Sequence, residues 1–139
     1  MPDHSPPARR PPLRADLLGL TTAAYALVLV FATHYPKPEQ LLGPNAPGDK
    51  TLHFIAYGVL GLLAAATLAA WRGWSVRDGL RLAATLAAFG AIDEMTQPFF
   101  SRAADPLDWV YDLIGIACGL AAVAAVAWFA RRGREDGGQ

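Results

Sequence analysis

Four stretches of this chain are nearly free of charge, and their lengths decide what it can fold into. Leu17–Thr33 holds 17 uncharged residues, Leu52–Trp71 is apolar apart from His53 and a few hydroxyls, and Trp109–Ala130 is apolar except for Asp112. Leu82–Ile92 is shorter and runs on through Asp93-Glu94 toward Phe99-Phe100. A helix needs about 17–25 apolar residues to cross a bilayer. Inside lipid the backbone must satisfy its own hydrogen bonds, which favours helices for such spans. The expected fold is therefore all-α: a polytopic membrane four-helix bundle, with the third helix the least apolar.

Composition agrees. Of 139 residues, 53% are hydrophobic and 17% charged, against about 25% charged in a typical soluble domain. The formal net charge is zero, so the basic footprint of a nucleic-acid binder is missing and no nucleic-acid partner is expected. One cysteine, Cys118, allows no internal disulfide and no cysteine-based metal site. The basic residues set an orientation. Arg9, Arg10 and Arg14 precede the first block, Arg72, Arg77 and Arg81 flank the second connection, and Arg131, Arg132 and Arg134 follow the last block. Only Lys37, Lys50 and Arg102 remain for the other two connections. Nine against three places both termini and the middle connection in the cytoplasm. A cleaved signal ending near Val30-Phe31-Ala32 is the alternative for the first block, although its apolar run is longer than a signal core.

The chain then divides into a disordered cytoplasmic N-terminus (1–14, rich in Pro and Arg), a transmembrane domain (15–131) and a cytoplasmic tail (132–139). His34–Gly48, with four prolines, reads as an irregular outer loop, and His4 and His34 receive no role. Trp71–Arg81 reads as a short cytoplasmic turn in which Ser75 caps the third helix.

With that topology every prominent polar residue falls at the outer end. Asp49, Lys50 and His53 open the second helix, Asp93, Glu94 and Gln97 close the third, and Arg102, Asp105, Asp108 and Asp112 lead into the fourth. The eleven uncharged residues before Asp93 rise only about 16 Å along a helix, against a hydrocarbon core of about 30 Å. The acidic pair therefore lies within the membrane, where an ionisable group is expected to face protein or water. Lys50, His53 and Tyr57 share one helix face by their i, i+3, i+7 spacing, as do Asp105, Asp108 and Asp112. The expected product is an outward-facing polar recess with carboxylates in excess and Lys50, His53 and Arg102 as their partners.

The segments DKTLHFIAYGVLG (Asp49–Gly61) and IDEMTQPFFSRAADPLDWVYDLIG (Ile92–Gly115) closely resemble the two signature regions of the VanZ-like membrane proteins. Matching positions are Asp49, Lys50, His53 and Tyr57 in the first, and Asp93, Glu94, Gln97, Arg102, Asp105, Asp108 and Gly115 in the second. The resemblance covers most of Asp49–Gly119. Asp112 departs from it, since the family usually has Asn there. The family is named for a protein associated with resistance to the glycopeptide teicoplanin. The resemblance implies a small multi-pass membrane protein of the cell envelope and no particular reaction.

Structural and functional roles compete at each position. Asp49 reads as an N-cap and Asp105-Pro106 as a cap followed by Pro at the first helical position, with Asp108 favouring the helix dipole. Tyr57 reads as aromatic packing with a wet hydroxyl, Gln97 as the end of the third helix or the orienter of a partner, and Gly115/Gly119 as a small-residue helix contact. Adjacent residues point about 100° apart on a helix, so Asp93 and Glu94 serve different partners, one of them Lys50 or Arg102. Three functions fit. In the first, Lys50 and Arg102 grip the phosphate of an extracytoplasmic ligand, a lipid-linked wall precursor or a lipid head group. Any reaction would use Glu94 or Asp93 as base and His53 as acid. The cofactor is open, with a divalent cation among the carboxylates one option. The second is a proton- or ion-coupled transporter, and the third a structural bundle locked by its polar contacts.

Overall fold

The computed structural model describes residues 13–36, 43 and 47–136. Among the described residues there are four helices, α1 (Leu13–His34), α2 (Asp49–Arg72), α3 (Val76–Thr96) and α4 (Pro106–Asp136), with a 3₁₀ turn at Gln97–Phe100. No strand occurs among the described residues. Three helices, α1, α2 and α4, are long and apolar enough to cross a membrane. Helix α3 is not among them, where four spans were expected. At 21 residues it would rise about 31 Å, but Arg77, Asp78 and Arg81 charge its first turns and Asp93 and Glu94 its last.

Helix ends differ from the expected boundaries for local reasons. Leu13 and Arg14 already belong to α1, so the expected N-terminal tail is shorter, and its residues 1–12 lie outside the described residues. His34 closes α1 instead of opening the loop; of that loop, 37–42 and 44–46, with Lys37, lie outside the described residues. The middle turn is only Gly73–Ser75, because Gly73 leaves α2 at φ 78 and Ser75 caps α3 by accepting from Asp78 N–H. Helix α4 runs on to Asp136, so the tail proper begins beyond the expected boundary, and 137–139 lie outside the described residues.

Helices α1 and α3 run antiparallel to α2 and α4, and α2 touches all three others. The closest approach is between α2 and α4, along Gly58, Gly61, Gly115 and Gly119. A Cβ at Gly115 would overlap the Phe54 carbonyl oxygen and lie 2.8 Å from the Gly58 nitrogen. One at Gly119 would overlap the Gly58 carbonyl oxygen. Small residues let helix backbones touch, and in lipid that packing replaces the hydrophobic drive. The expected Gly115/Gly119 contact is thus present, with Gly58 and Gly61 as its other half. Helix α1 is held to α2 by Tyr25 Oη donating to Ala56 O (3.0 Å) and by the Thr22–Thr67 hydroxyl pair (2.8 Å). Trp109 Nε1 donates to Ala87 O (3.0 Å), fixing α4 against α3.

The interior is small: Leu29, Tyr57, Leu60, Ala65, Leu86, Ile116 and Leu120. Larger apolar side chains point outward, among them Leu20, Phe31, Val126 and Phe129. An apolar exterior around a partly polar interior suits lipid as the surrounding solvent. Arg14, Arg72, Arg77, Arg81, Arg131, Arg132 and Arg134 collect at one end of the bundle, and Asp49, Asp93, Glu94, Asp105, Asp108 and Asp112 at the other. The Gly115→Ala variant should lose about 1–3 kcal/mol of stability by overpacking α2 against α4, read as an earlier thermal unfolding in detergent. Gly133→Ala, whose Cβ meets nothing within 4 Å, should leave the midpoint unchanged or raise it.

Candidate functional site

His53 stands one turn before the glycine contact on α2 and is 3% exposed. Asp112 stands just before Gly115 on α4 and is fully buried. Because the two backbones touch there, His53 Nδ1 reaches Asp112 Oδ1 at 2.9 Å. Glu94 of α3 completes the group, its Oε1 3.7 Å from His53 Nδ1. On the other side of the ring, His53 Nε2 faces Asp108 Oδ2 at 3.9 Å and Asp49 Oδ1 at 4.0 Å, with Arg102 Nη2 at 3.4 Å. One imidazole is therefore ringed by four carboxylates from three helices.

The acidic pair splits as helix geometry requires, though not onto Lys50 or Arg102. Asp93 turns to α1 and α2, accepting from Thr33 Oγ1 and Tyr57 Oη, both at 3.0 Å. Glu94 turns to α4 and its approach, accepting from Gln97 Nε2 (2.8 Å) and from Asp105 N–H (3.3 Å). Both are almost fully buried, so neither faces lipid. Tyr57 is dry, not wet: its ring is fully enclosed, parallel to His53 at 6.4 Å, and its hydroxyl is spent on Asp93. Gly90 makes room for this, since a Cβ there would lie 3.3 Å from the Tyr57 ring and 3.5 Å from Asp112 Oδ2.

The two cations close the outer rim. Lys50 Nζ donates to Asp105 Oδ2 (2.7 Å) and Asp108 Oδ1 (3.0 Å). Arg102 Nη1 donates to the Thr33 carbonyl at the end of α1 (2.9 Å), and Nη2 to Asp49 Oδ1 (2.5 Å). One guanidinium thus joins the end of α1, the start of α2 and the loop after α3. Ser101, with φ 62, supplies the left-handed turn that delivers it. Asp49 is accordingly not the N-cap of α2; Gly48 holds that position and Asp49 is the first helical residue, paired with Arg102. Asp105 does act at the start of α4, its Oδ1 accepting from Leu107 N–H at 2.9 Å, with Pro106 next.

Every polar residue singled out from sequence at this end lies in the cluster. Sequence reasoning missed His34 and Thr33. His34 Nε2 meets Thr96 Oγ1 at 2.9 Å and Nδ1 lies 3.5 Å from Asp93 Oδ1. The uncharged run of 17 residues rises only about 26 Å, short of a core of about 30 Å, and α1 makes up the length with the four residues before Leu17 and with His34 after Thr33.

Two buried oxygens, Asp112 Oδ2 and Gln97 Oε1, lack a hydrogen-bond partner among the described residues. A crevice of about 210 Å³ between α1 and α2 ends at the cluster, walled by Tyr25, Leu29, Leu52 and Ile55 and headed by Asp49, His53 and Arg102. Donor atoms of His53, Glu94 and Asp112 all lie within 4.8 Å of one another, near enough to share a proton or a cation.

Asp105 lies outside the spans, and the Lys50 ammonium, helped by Leu107 N–H, holds its carboxyl below the usual carboxylate range. A lowered carboxyl stabilises the fold above its unfolded value, and that contribution fades as pH falls through the folded value. In Lys50→Ala, carboxyl NMR of labelled aspartate should show Asp105 titrating at higher pH than in the parent; an unmoved titration would contradict the pair. Family models, curated protein sequences and solved structures give no match to this chain.

Proposed function

We propose that this chain is a VanZ-like protein of the cell envelope that crosses the cytoplasmic membrane four times. Both termini lie in the cytoplasm, and the recess around His53 opens on the outer side. The clustering of seven arginines at the opposite end supports that orientation, since cytoplasmic ends carry the basic excess. The part played by Thr33 in binding Asp93 and Arg102 supports keeping α1 in the mature protein instead of cleaving it.

The ligand we propose is a phosphate-bearing amphiphile, a lipid-linked wall precursor or a lipid head group. One observation carries this reading: the apolar crevice between α1 and α2 ends on Arg102, Asp49 and His53. An acyl or prenyl chain fits the Leu29, Leu52 and Ile55 walls, and its anionic head would exchange with Asp49 on the Arg102 guanidinium, a bidentate phosphate partner. Of the two carboxylates offered as a base, Glu94 is the better placed, because it lies beside His53 while Asp93 is engaged by two hydroxyls. A proton path is less well supported, because the crevice toward the arginine end, lined by Thr22, Leu60, Thr67 and Leu86, offers hydroxyls and no titratable group.

Native mass spectrometry of protein released from nanodiscs containing phosphatidylglycerol or a polyprenyl phosphate tests this. The parent should retain one of these lipids. Ile55→Trp, which fills the crevice from a half-exposed position, should retain roughly tenfold less, about 1.4 kcal/mol of binding. Equal retention by the variant would remove the crevice as the binding place.

A further inference from the structure

Beyond the lipid reading, and independent of it, we propose that His53, Glu94, Asp112 and Gln97 form a binding site for a hard divalent transition ion of the Mn²⁺ type. The first observation is geometric. His53 Nδ1 lies 2.9 Å from Asp112 Oδ1 and 3.7 Å from Glu94 Oε1. Two donors bonded to one ion at about 2.0–2.2 Å can stand no more than about 4.4 Å apart. Both separations fit, and the three donor atoms come within 4.8 Å of one another, so the Glu94–Asp112 distance has at most a few tenths of an ångström to close.

The second observation is independent of the acidic cluster. Gln97 is completely buried and its Oε1 has no partner. Its amide is anchored by Nε2 on Glu94 Oε1 at 2.8 Å, the same carboxylate oxygen that faces His53 Nδ1. Asp112 Oδ2, likewise buried, is also unpartnered. Buried acceptors are nearly always satisfied, and an ion is one standard reason for an exception.

Charge points the same way. Lys50 answers Asp105 and Asp108, and Arg102 answers Asp49. Among the described residues Glu94 and Asp112 are left with His53 as their one basic neighbour, in a place where unpaired charge is expensive. A divalent cation neutralises both. One imidazole with carboxylate and amide oxygens suits Mn²⁺ better than Mg²⁺ or Ca²⁺, which prefer all-oxygen shells, or a thiolate-seeking ion.

Binding would take the neutral His53 ring in its Nε2–H form, so that Nδ1 trades its 2.9 Å contact with Asp112 Oδ1 for the ion and the ring N–H sits on Nε2. Asp108 and Asp49, at 3.9 and 4.0 Å, stand ready to accept it; the carboxylate–histidine–metal relay is a common device for orienting a ligand imidazole. The 3.4 Å contact from Arg102 Nη2 to Nε2 would loosen, so the guanidinium shifts toward Asp49. The ion lies on the Nδ1 side of the ring, away from Arg102.

The test is Mn²⁺ binding to the full chain in nanodiscs after chelator treatment. Elemental analysis should find about one ion per chain, with affinity falling as pH drops because the proton competes. Pulsed electron paramagnetic resonance of the bound Mn²⁺ should show ¹⁴N modulation from a single imidazole. His53→Ala should abolish that modulation, and Glu94→Gln should weaken binding by at least about tenfold. Thr67→Val, at the far end of the bundle, should bind as the parent does. Lack of saturable Mn²⁺ binding, a signal without ¹⁴N modulation, or equal affinity in Glu94→Gln would each overturn the site. If His53→Ala or Glu94→Gln fails to fold, the parent spectrum still decides. Lipid retention is a separate readout, so loss of one site leaves the other standing.

Discussion

The contact between α2 and α4 governs the rest of the structure. Glycines at 58, 61, 115 and 119 remove the side chains that would keep two backbones apart. The rows of residues just before that contact then meet: Lys50 with Asp108 and His53 with Asp112. The position of the polar cluster is thus a consequence of small residues deeper in the bundle. In lipid, where apolar burial gives helices little reason to associate, close packing of this kind must carry the association.

Given that contact, the remaining helices are placed by where charge can be hidden. Glu94 and Asp93 are adjacent and point to different neighbours, so α3 is tied to α4 through one and to α1 through the other. Arg102 then closes α1 onto α2 through the Thr33 carbonyl and Asp49. A single interhelical polar contact in a membrane is worth only about 1 kcal/mol. Ionisable groups at membrane depth are a default pointer to function, which is why a ligand is proposed.

Much of this was legible in the sequence. The apolar blocks named the helices, and the i, i+3, i+7 spacing of Lys50, His53 and Tyr57 named the face on which they meet. What the residue string hid was partnership. Nothing local says that Tyr57 donates to Asp93 or that Lys50 chooses Asp105 over Glu94, since those pairs depend on helix rotation and crossing. Gly90 is similarly silent in sequence, because its role is to leave room for Tyr57 and Asp112 of two other helices. His34 was set aside because a proline-rich loop follows it, and its contact with Thr96 of α3 depends on how the helices pack. Asp49 looked like a cap from its place after Pro47-Gly48, and only the reach of Arg102 across 53 positions shows otherwise. The charge of α3 keeps it from being apolar enough to cross a membrane, and two of its acidic residues, Asp93 and Glu94, face protein.

The account rests on one enclosed meeting point, where the His53 ring is held between helices α2, α3 and α4 at the end opposite the seven clustered arginines. The most direct measurement is solid-state NMR of the protein in bilayers, with nitrogen-labelled histidine and carboxyl-labelled aspartate. Dipolar recoupling should place His53 Nδ1 in direct contact with the Asp112 carboxyl, as the 2.9 Å separation requires. Absence of that coupling, in protein shown to be folded, would mean that the two side chains do not meet and that the recess is not formed.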